Sequence, residues 1–168
     1  MGNVITINHE SCTGCKTCEM LCSLHHFGEC NPVRSAIRII RRERDGLVFC
    51  LPLVCQQCEP APCVEACPTE AFSRDENNGT LAFNKEECTD CGLCEEACRI
   101  GCLTLAHGGT EIINCDLCRG EPQCVQACHA HCLTMAGSSE VDSKQNIEHI
   151  ISILKQEGLF DRLPGREG

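Results

Sequence analysis

Apolar positions along the chain fall in short runs separated by polar and cysteine-rich stretches, until the pattern changes beyond residue 141. Residues 35–42 (SAIRIIRR) and 47–54 (LVFCLPLV), with Arg44, Asp45 and Gly46 between them, read as a β-hairpin. DENNGT at 75–80, leading into LAFN, predicts a second hairpin. TLAHGGTEII at 104–113 predicts a third, turning at Gly108 and Gly109. Segments ending in Cys22, Cys67, Cys98 and Cys128 are expected to be short helical turns. From Val141 the cysteines stop, and Ile147, Ile150, Ile151 and Leu154 recur at helical spacing. This predicts a terminal helix whose apolar stripe either is covered by the rest of the chain or meets a partner.

Cysteine changes this picture most. The chain has 168 residues with 20 Cys, no Trp, no Tyr and five Phe, so thiol chemistry rather than a conventional core is expected to organise the interior. Residues 1–10 lack the basic region and apolar stretch of a secretory signal, which sets disulfides aside and gives a cytoplasmic expectation. The run LVFCLPLVC at 47–55 is too short to span a bilayer and contains Pro52, so no direct membrane insertion is expected.

The cysteines repeat. Cys12, Cys15, Cys18 and Cys22 follow CxxCxxCxxxC, and Cys88, Cys91, Cys94 and Cys98 repeat that spacing. Cys55, Cys58, Cys63 and Cys67 widen the second gap to four residues, and Cys115, Cys118, Cys124 and Cys128 widen it to five. The chain is thus two copies of a tight motif followed by a loose one. Four cysteines remain. Cys102 and Cys132 lie four residues past the last cysteine of their motifs, where the second motif has Ala71, so they read as small packing residues. Cys30 and Cys50 get the same reading.

A structural zinc site usually takes two separated pairs of ligands, whereas here three cysteines crowd together and a fourth follows after a gap of three residues. That is bacterial ferredoxin spacing, in which the fourth cysteine ligates the other 4Fe-4S cluster of a pair. Only Cys67 is followed by the proline usual there (Pro68); Ser23, Arg99 and His129 take the other places. Crossed ligation predicts four clusters. Cluster one takes Cys12, Cys15, Cys18 and Cys128; cluster two takes Cys115, Cys118, Cys124 and Cys22. Cluster three takes Cys55, Cys58, Cys63 and Cys98; cluster four takes Cys88, Cys91, Cys94 and Cys67.

The expected fold class is α+β: two interlocked bacterial-ferredoxin-like units of pseudo-twofold βαβ type, with hairpin insertions and a C-terminal helix. Residues 1–30 and 103–137 would form the first unit and 55–102 the second. Residues 31–54 would be a hairpin insertion and 138–168 the tail.

Over residues 5–135 the sequence resembles the four-cluster ferredoxin subunits of molybdenum and tungsten oxidoreductases. The stretch CTGCKTCEMLCSLHHFGECNPVRSAIRI at 12–39 most resembles the small subunits of tungsten enzymes of the aldehyde ferredoxin oxidoreductase family, which includes tungsten-dependent benzoyl-coenzyme A reductase. The resemblance implies a non-catalytic subunit that passes single electrons between a large tungsten or molybdenum catalytic subunit and an external donor or acceptor protein. Subunits of carbon monoxide dehydrogenase, hydrogenase or formate dehydrogenase are the alternative, and a structural zinc protein the remaining one.

Charge and motifs agree with a carrier. The formal charge of −10 becomes roughly −18 if each cluster adds about −2, which disfavours nucleic acid. There is no phosphate-cradling glycine loop and no nucleophile triad. His25, His26, His129 and His131 sit near ligand cysteines and are expected to cover clusters and donate to sulfur rather than to ligate. Arg34, Arg38, Arg41, Arg42 and Arg44 concentrate in one hairpin, either as a solvated face or as a docking surface.

Overall fold

Period-two runs become strands, each paired with a single partner. The structure, a computed structural model, describes residues 2–75, 79–105, 112–137 and 141–163. β1 (Asn3–Ile7) pairs antiparallel with β8 (Leu133–Gly137), so the segment before the first motif is tied to the segment after the fourth. β2 (Ile37–Arg44) and β3 (Leu47–Val54) form the first hairpin, from Ile37 opposite Val54 to Arg44 opposite Leu47. Its turn is Asp45 (φ 52°) and Gly46 (φ 78°), two left-handed residues that suit the right-handed twist of the strands. Pro52 is accommodated because this sheet has only two strands, leaving an outer edge where no N–H is needed.

β4 (Phe72–Arg74) pairs with β5 (Leu81–Phe83), and β6 (Thr104–Leu105) with β7 (Ile112–Ile113). Both hairpins expected there have their strands; the turn at Gly108 and Gly109 lies outside the described residues. A mixed fold of short helices and two-stranded sheets results.

Three of the four expected helical turns are short: α2 (Pro62–Glu65), α3 (Leu93–Ala97) and α4 (Gln123–Gln126) stop just before Cys67, Cys98 and Cys128. The first is different. α1 runs Thr17–Phe27, through Cys22 and beyond, to a left-handed cap at Gly28 whose N–H bonds Leu24 O. Residues three past Cys67, Cys98 and Cys128 are left-handed (Glu70 φ 56°, Gly101 φ 60°, His131 φ 48°) and turn the chain back, whereas His25 at the same place stays helical. α1 packs on α4, and α2 on α3.

The terminal helix is α5 (Ser143–Gln156), begun by the Asp142 side chain accepting from Lys144 N–H at 2.8 Å. Ile147, Ile150, Ile151 and Leu154 are all buried within this chain, so the stripe is covered by the chain itself rather than left for a partner. Asn146 Nδ2 donates to Gln56 Oε1, and buried Gln56 donates in turn to Ile5 O (3.3 Å) and Val54 O (3.0 Å). One amide thereby ties α5 to β1 and β3.

The interior corrects the expectation of a thiol-dominated core. Fully buried Ile5, Ile37, Leu51, Leu53, Leu81, Leu103 and Phe72 form one aliphatic cluster continuous with the buried cysteines. Strand residues supply most of it, with β3 buried on both faces from Cys50 to Val54, and aromatic scarcity does not prevent it.

Candidate iron-sulfur centres

Each motif wraps its own cysteines by the same backbone device. The residue two past the first cysteine is left-handed in all four: Gly14 (φ 67°), Gln57 (φ 48°), Asp90 (φ 55°) and Leu117 (φ 56°). Lys16, Gly92 and Arg119 are left-handed two residues further on. Such turns aim successive amides into a concavity suited to an anionic group. At Asp90 the amide donates to Cys88 Sγ at 3.4 Å.

Cysteines from different motifs then come together. Cys22 lines one pocket with Cys115, Cys118 and Cys124. Cys98 lines another with Cys55, Cys58 and Cys63. Cys67 lines a third with Cys88, Cys91 and Cys94. For the first motif, Cys12 and Cys15 lie near Cys18 together with Glu19, while the Cys132 thiol faces both Cys12 and Cys128. His129, next to Cys128, brings Nδ1 to 3.9 Å from Cys15 Sγ.

The sets also adjoin one another. Cys18 lies close enough to Cys124 to raise its pKa, and Cys115 does the same to Cys55. Gln57, buried in the second motif, donates to Cys115 O at 2.9 Å and accepts from Leu81 N–H at 3.0 Å, fixing the second and fourth motifs together.

The returning loops after the last cysteines hold sulfur with backbone amides. At Cys98, the Cys102 side chain, opposing burial, brings the thiol down to about 6, with the amides of Cys102, Ile100 and Leu103 contributing. Burial pushes Cys67 up, but the amides of Phe72, Thr69 and Ala71 and the Thr69 hydroxyl together outweigh it and hold the thiol below its ordinary value. Cys128 follows the same pattern: burial opposes, and Cys132, Leu133 and Ala130 prevail.

Among the histidines, His26 places Nε2 3.7 Å from Cys118 Sγ and 3.5 Å from Asp116 Oδ1, and His25 meets His26 edge-on at 5.0 Å. The arginines are not one solvated face. Arg38 donates to Gly101 O; Arg34 pairs with Glu29 (3.0 Å) and lies 3.8 Å over Phe27, leaving Arg41, Arg42 and Arg44 towards the hairpin tip. Of the unassigned cysteines, Cys50, Cys102 and Cys132 are buried as expected. Cys30 is exposed, because it follows the Gly28 cap in the connection leaving α1; the packing reading fails there.

Comparison with known proteins places the chain in a family. The profile of the 4Fe-4S dicluster domain matches residues 47–138, more than half of the chain. The chain belongs to the 4Fe-4S dicluster domain family. The polyferredoxin-like subunit of aliphatic sulfonate oxidoreductase from Pyrococcus furiosus is 44% identical over 94 residues, 56% of this chain and 53% of that one. Formate hydrogenlyase subunit 2 of Escherichia coli is 31% identical over 103 residues, 61% and 48% of the two chains. The chain therefore spans about half the length of the curated relatives it matches. A chain in the active site complex of benzoyl coenzyme A reductase superposes with a TM-score of 0.46 at 22% identity, covering 95% of each chain.

The residues present fit the cofactor of the dicluster family. Burial is the largest effect raising Cys18, Cys63 and Cys124 to about 12 and Cys94 to about 11, and neighbouring thiols add to it. Crowded buried thiols resist ionisation unless a cation stands among them, and iron supplies that positive charge. No described helix is long and apolar enough to cross a membrane.

Proposed function

We propose that this dicluster-family chain is an electron-transfer subunit holding four 4Fe-4S clusters on the crossed sets given above. The observation that carries the reading is the adjacency of the cysteine sets. Cys18 beside Cys124 links sets one and two, Cys115 beside Cys55 links two and three, and α2 packed on α3 brings three and four together. Bound in such an order, 4Fe-4S clusters supply a relay for single electrons. The chain's own part is to hold the sulfurs, surround them with amides and aliphatic walls, and exclude water from the path.

The two-unit organisation belongs to the same proposal: residues 1–30 with 103–137 as one ferredoxin-like unit, 55–102 as the other, 31–54 inserted and 138–168 as tail. Pairing of β1 with β8 and packing of α1 on α4 support the first unit, and packing of α2 on α3 supports the second. Here 138–168 is more than an appendage, since Ile147 forms part of the wall around Cys55, Cys58, Cys63 and Cys98.

The partner proposed is a large tungsten or molybdenum catalytic subunit, such as an aldehyde oxidoreductase or benzoyl-coenzyme A reductase, with an external redox protein at the other end. Support comes from the resemblance at residues 12–39 and from the likeness to a polyferredoxin-like oxidoreductase subunit. The likeness to formate hydrogenlyase subunit 2 favours the second reading, a hydrogenase or formate dehydrogenase complex. Isolating the native complex anaerobically separates them. A large subunit containing tungsten or molybdenum and lacking hydrogenase or formate dehydrogenase activity is expected, with about sixteen iron and sixteen sulfide in this chain. Nickel in the large subunit would leave the relay and overturn the partner; zinc without sulfide would overturn both.

A further inference from the structure

The four motifs differ at one repeated position, four residues past the last cysteine: His26, Ala71, Cys102 and Cys132. After the second, third and fourth motifs, the left-handed residues Glu70, Gly101 and His131 turn the chain so that this position folds back over the sulfur of the last cysteine. Cys102 N–H donates to Cys98 Sγ at 3.2 Å, which sets the Cys102 thiol beside the same sulfur. Cys132 Sγ lies 3.4 Å from Cys128 Sγ. Both second thiols are buried, each only 5% exposed, so water does not compete for the contact. A thiolate bound to iron has no proton to give, and the unligated thiol beside it is therefore the donor.

Given the ligand sets proposed above, on which this inference rests, we propose that Cys102 and Cys132 are potential-setting residues. Each donates an S–H hydrogen bond to the ligand four residues before it, on clusters three and one respectively. A donor at a ligand sulfur stabilises the more negative, reduced cluster and so raises its potential. Ala71 brings an amide but no thiol to Cys67, where the side-chain partner is instead the Thr69 hydroxyl at 3.8 Å. Loops of related backbone geometry thereby present different side-chain donors to their clusters.

EPR-monitored redox titration of the anaerobically purified full chain, with iron counted in every variant, tests this. Cys102→Ala is expected to lower the potential of one cluster with the iron count unchanged, and Cys102→Ser, which keeps a donor, to restore most of the shift. Cys132→Ala should do the same to a different cluster. Ala71→Cys, at a place where the fold already accepts a small side chain, should raise a third. Iron-replete Ala variants with unchanged potentials, or Ser variants no better than Ala, overturn the inference and leave the four-cluster reading standing. Loss of four iron in Cys102→Ala would make this residue a ligand and overturn it as well. A parent chain with no cluster on Cys55, Cys58, Cys63 and Cys98 fails the underlying reading, recognisable by its iron count before any variant is made.

Discussion

A side-chain carbon built on Gly14 would stand 2.5 Å from Cys50 Sγ, far inside contact distance. The equivalent left-handed positions in the other motifs hold Gln57, Asp90 and Leu117, so the conformation alone does not demand glycine. Cys50, in the middle of β3, does. Gly14→Ala should therefore add overpacking of about 1–3 kcal/mol to a left-handed cost of about 1–2 kcal/mol. Cluster occupancy at Cys12, Cys15 and Cys18 should fall. Cys50→Ala on top of it should recover the overpacking share, because Cys50 Cβ lies at an ordinary 3.7 Å. Chemical denaturation of both variants reads the difference; equal stability of the single and double variants would rule out the contact as the cause.

That relationship marks where the sequence stops being legible. The spacing of sixteen cysteines, the hairpin turning at Asp45 and Gly46, and the stripe Ile147, Ile150, Ile151 and Leu154 are local patterns, and local geometry imposes them. The extent of α1 is not local in that sense. Lack of the usual proline is not enough, since α3 and α4 stop short with Arg99 and His129 in that place; at Ser23 the hydroxyl also donates back to Met20 O at 3.0 Å and accepts from Asn31 N–H at 2.9 Å, holding the continued helix. Nor could spacing say which thiols touch: the nearness of Cys102 to Cys98 and of Cys132 to Cys128 follows from left-handed residues at Gly101 and His131, and a residue other than glycine seldom takes that conformation. Cysteine count alone does not reveal the aliphatic core, which is built from apolar residues such as Ile5, Ile37, Leu51 and Leu81 in the short strands.

Crossed ligation has a sharp consequence at Cys22. Buried on α1 and facing Cys115, Cys118 and Cys124, it is expected to serve their cluster. Cys22→Ala should cost about four iron of about sixteen. Alkylation followed by mass spectrometry should then find Cys115, Cys118 and Cys124 newly reactive, with Cys12, Cys15 and Cys18 still protected. The reverse footprint would sink the crossed arrangement.

The tail helix should matter to the chain itself before it matters to any partner. Leu154 is fully buried, and Ile147 stands at the wall of the Cys55 pocket. Leu154→Ala is expected to destabilise the protein by about 2–5 kcal/mol. Ile147→Asp should in addition speed loss of the cluster nearest it in air, seen as faster bleaching of iron-sulfur absorbance. If removing residues 141–168 left bleaching rate and melting temperature unchanged, α5 would be a mere appendage.

Stripping the iron should unfold most of the chain. Every described sheet has two strands, and an isolated hairpin is marginal in water. The aliphatic cluster is continuous, but buried cysteines are interleaved all through it, with Cys18, Cys22, Cys55, Cys63, Cys94, Cys115 and Cys124 among its members. Without metal, Cys115 and Cys124 stay protonated, held so chiefly by burial, and the bonds that tie one motif to another are gone. Among the described residues, what then remains between motifs is a few single hydrogen bonds such as Gln57 to Cys115 O and Asn114 Nδ2 to Leu81 O, the β1–β8 pairing and the packing of short helices, too little to offset the ordering of the loops between them. Oxidative removal of iron with a chelator should abolish slow amide exchange in β4 and β5, flanked by cysteine loops on both sides, and retain most in the longer β2–β3 hairpin. Persistence of protection in β4 and β5 after complete iron removal would mean that the aliphatic cluster, not the metal, holds the motifs together.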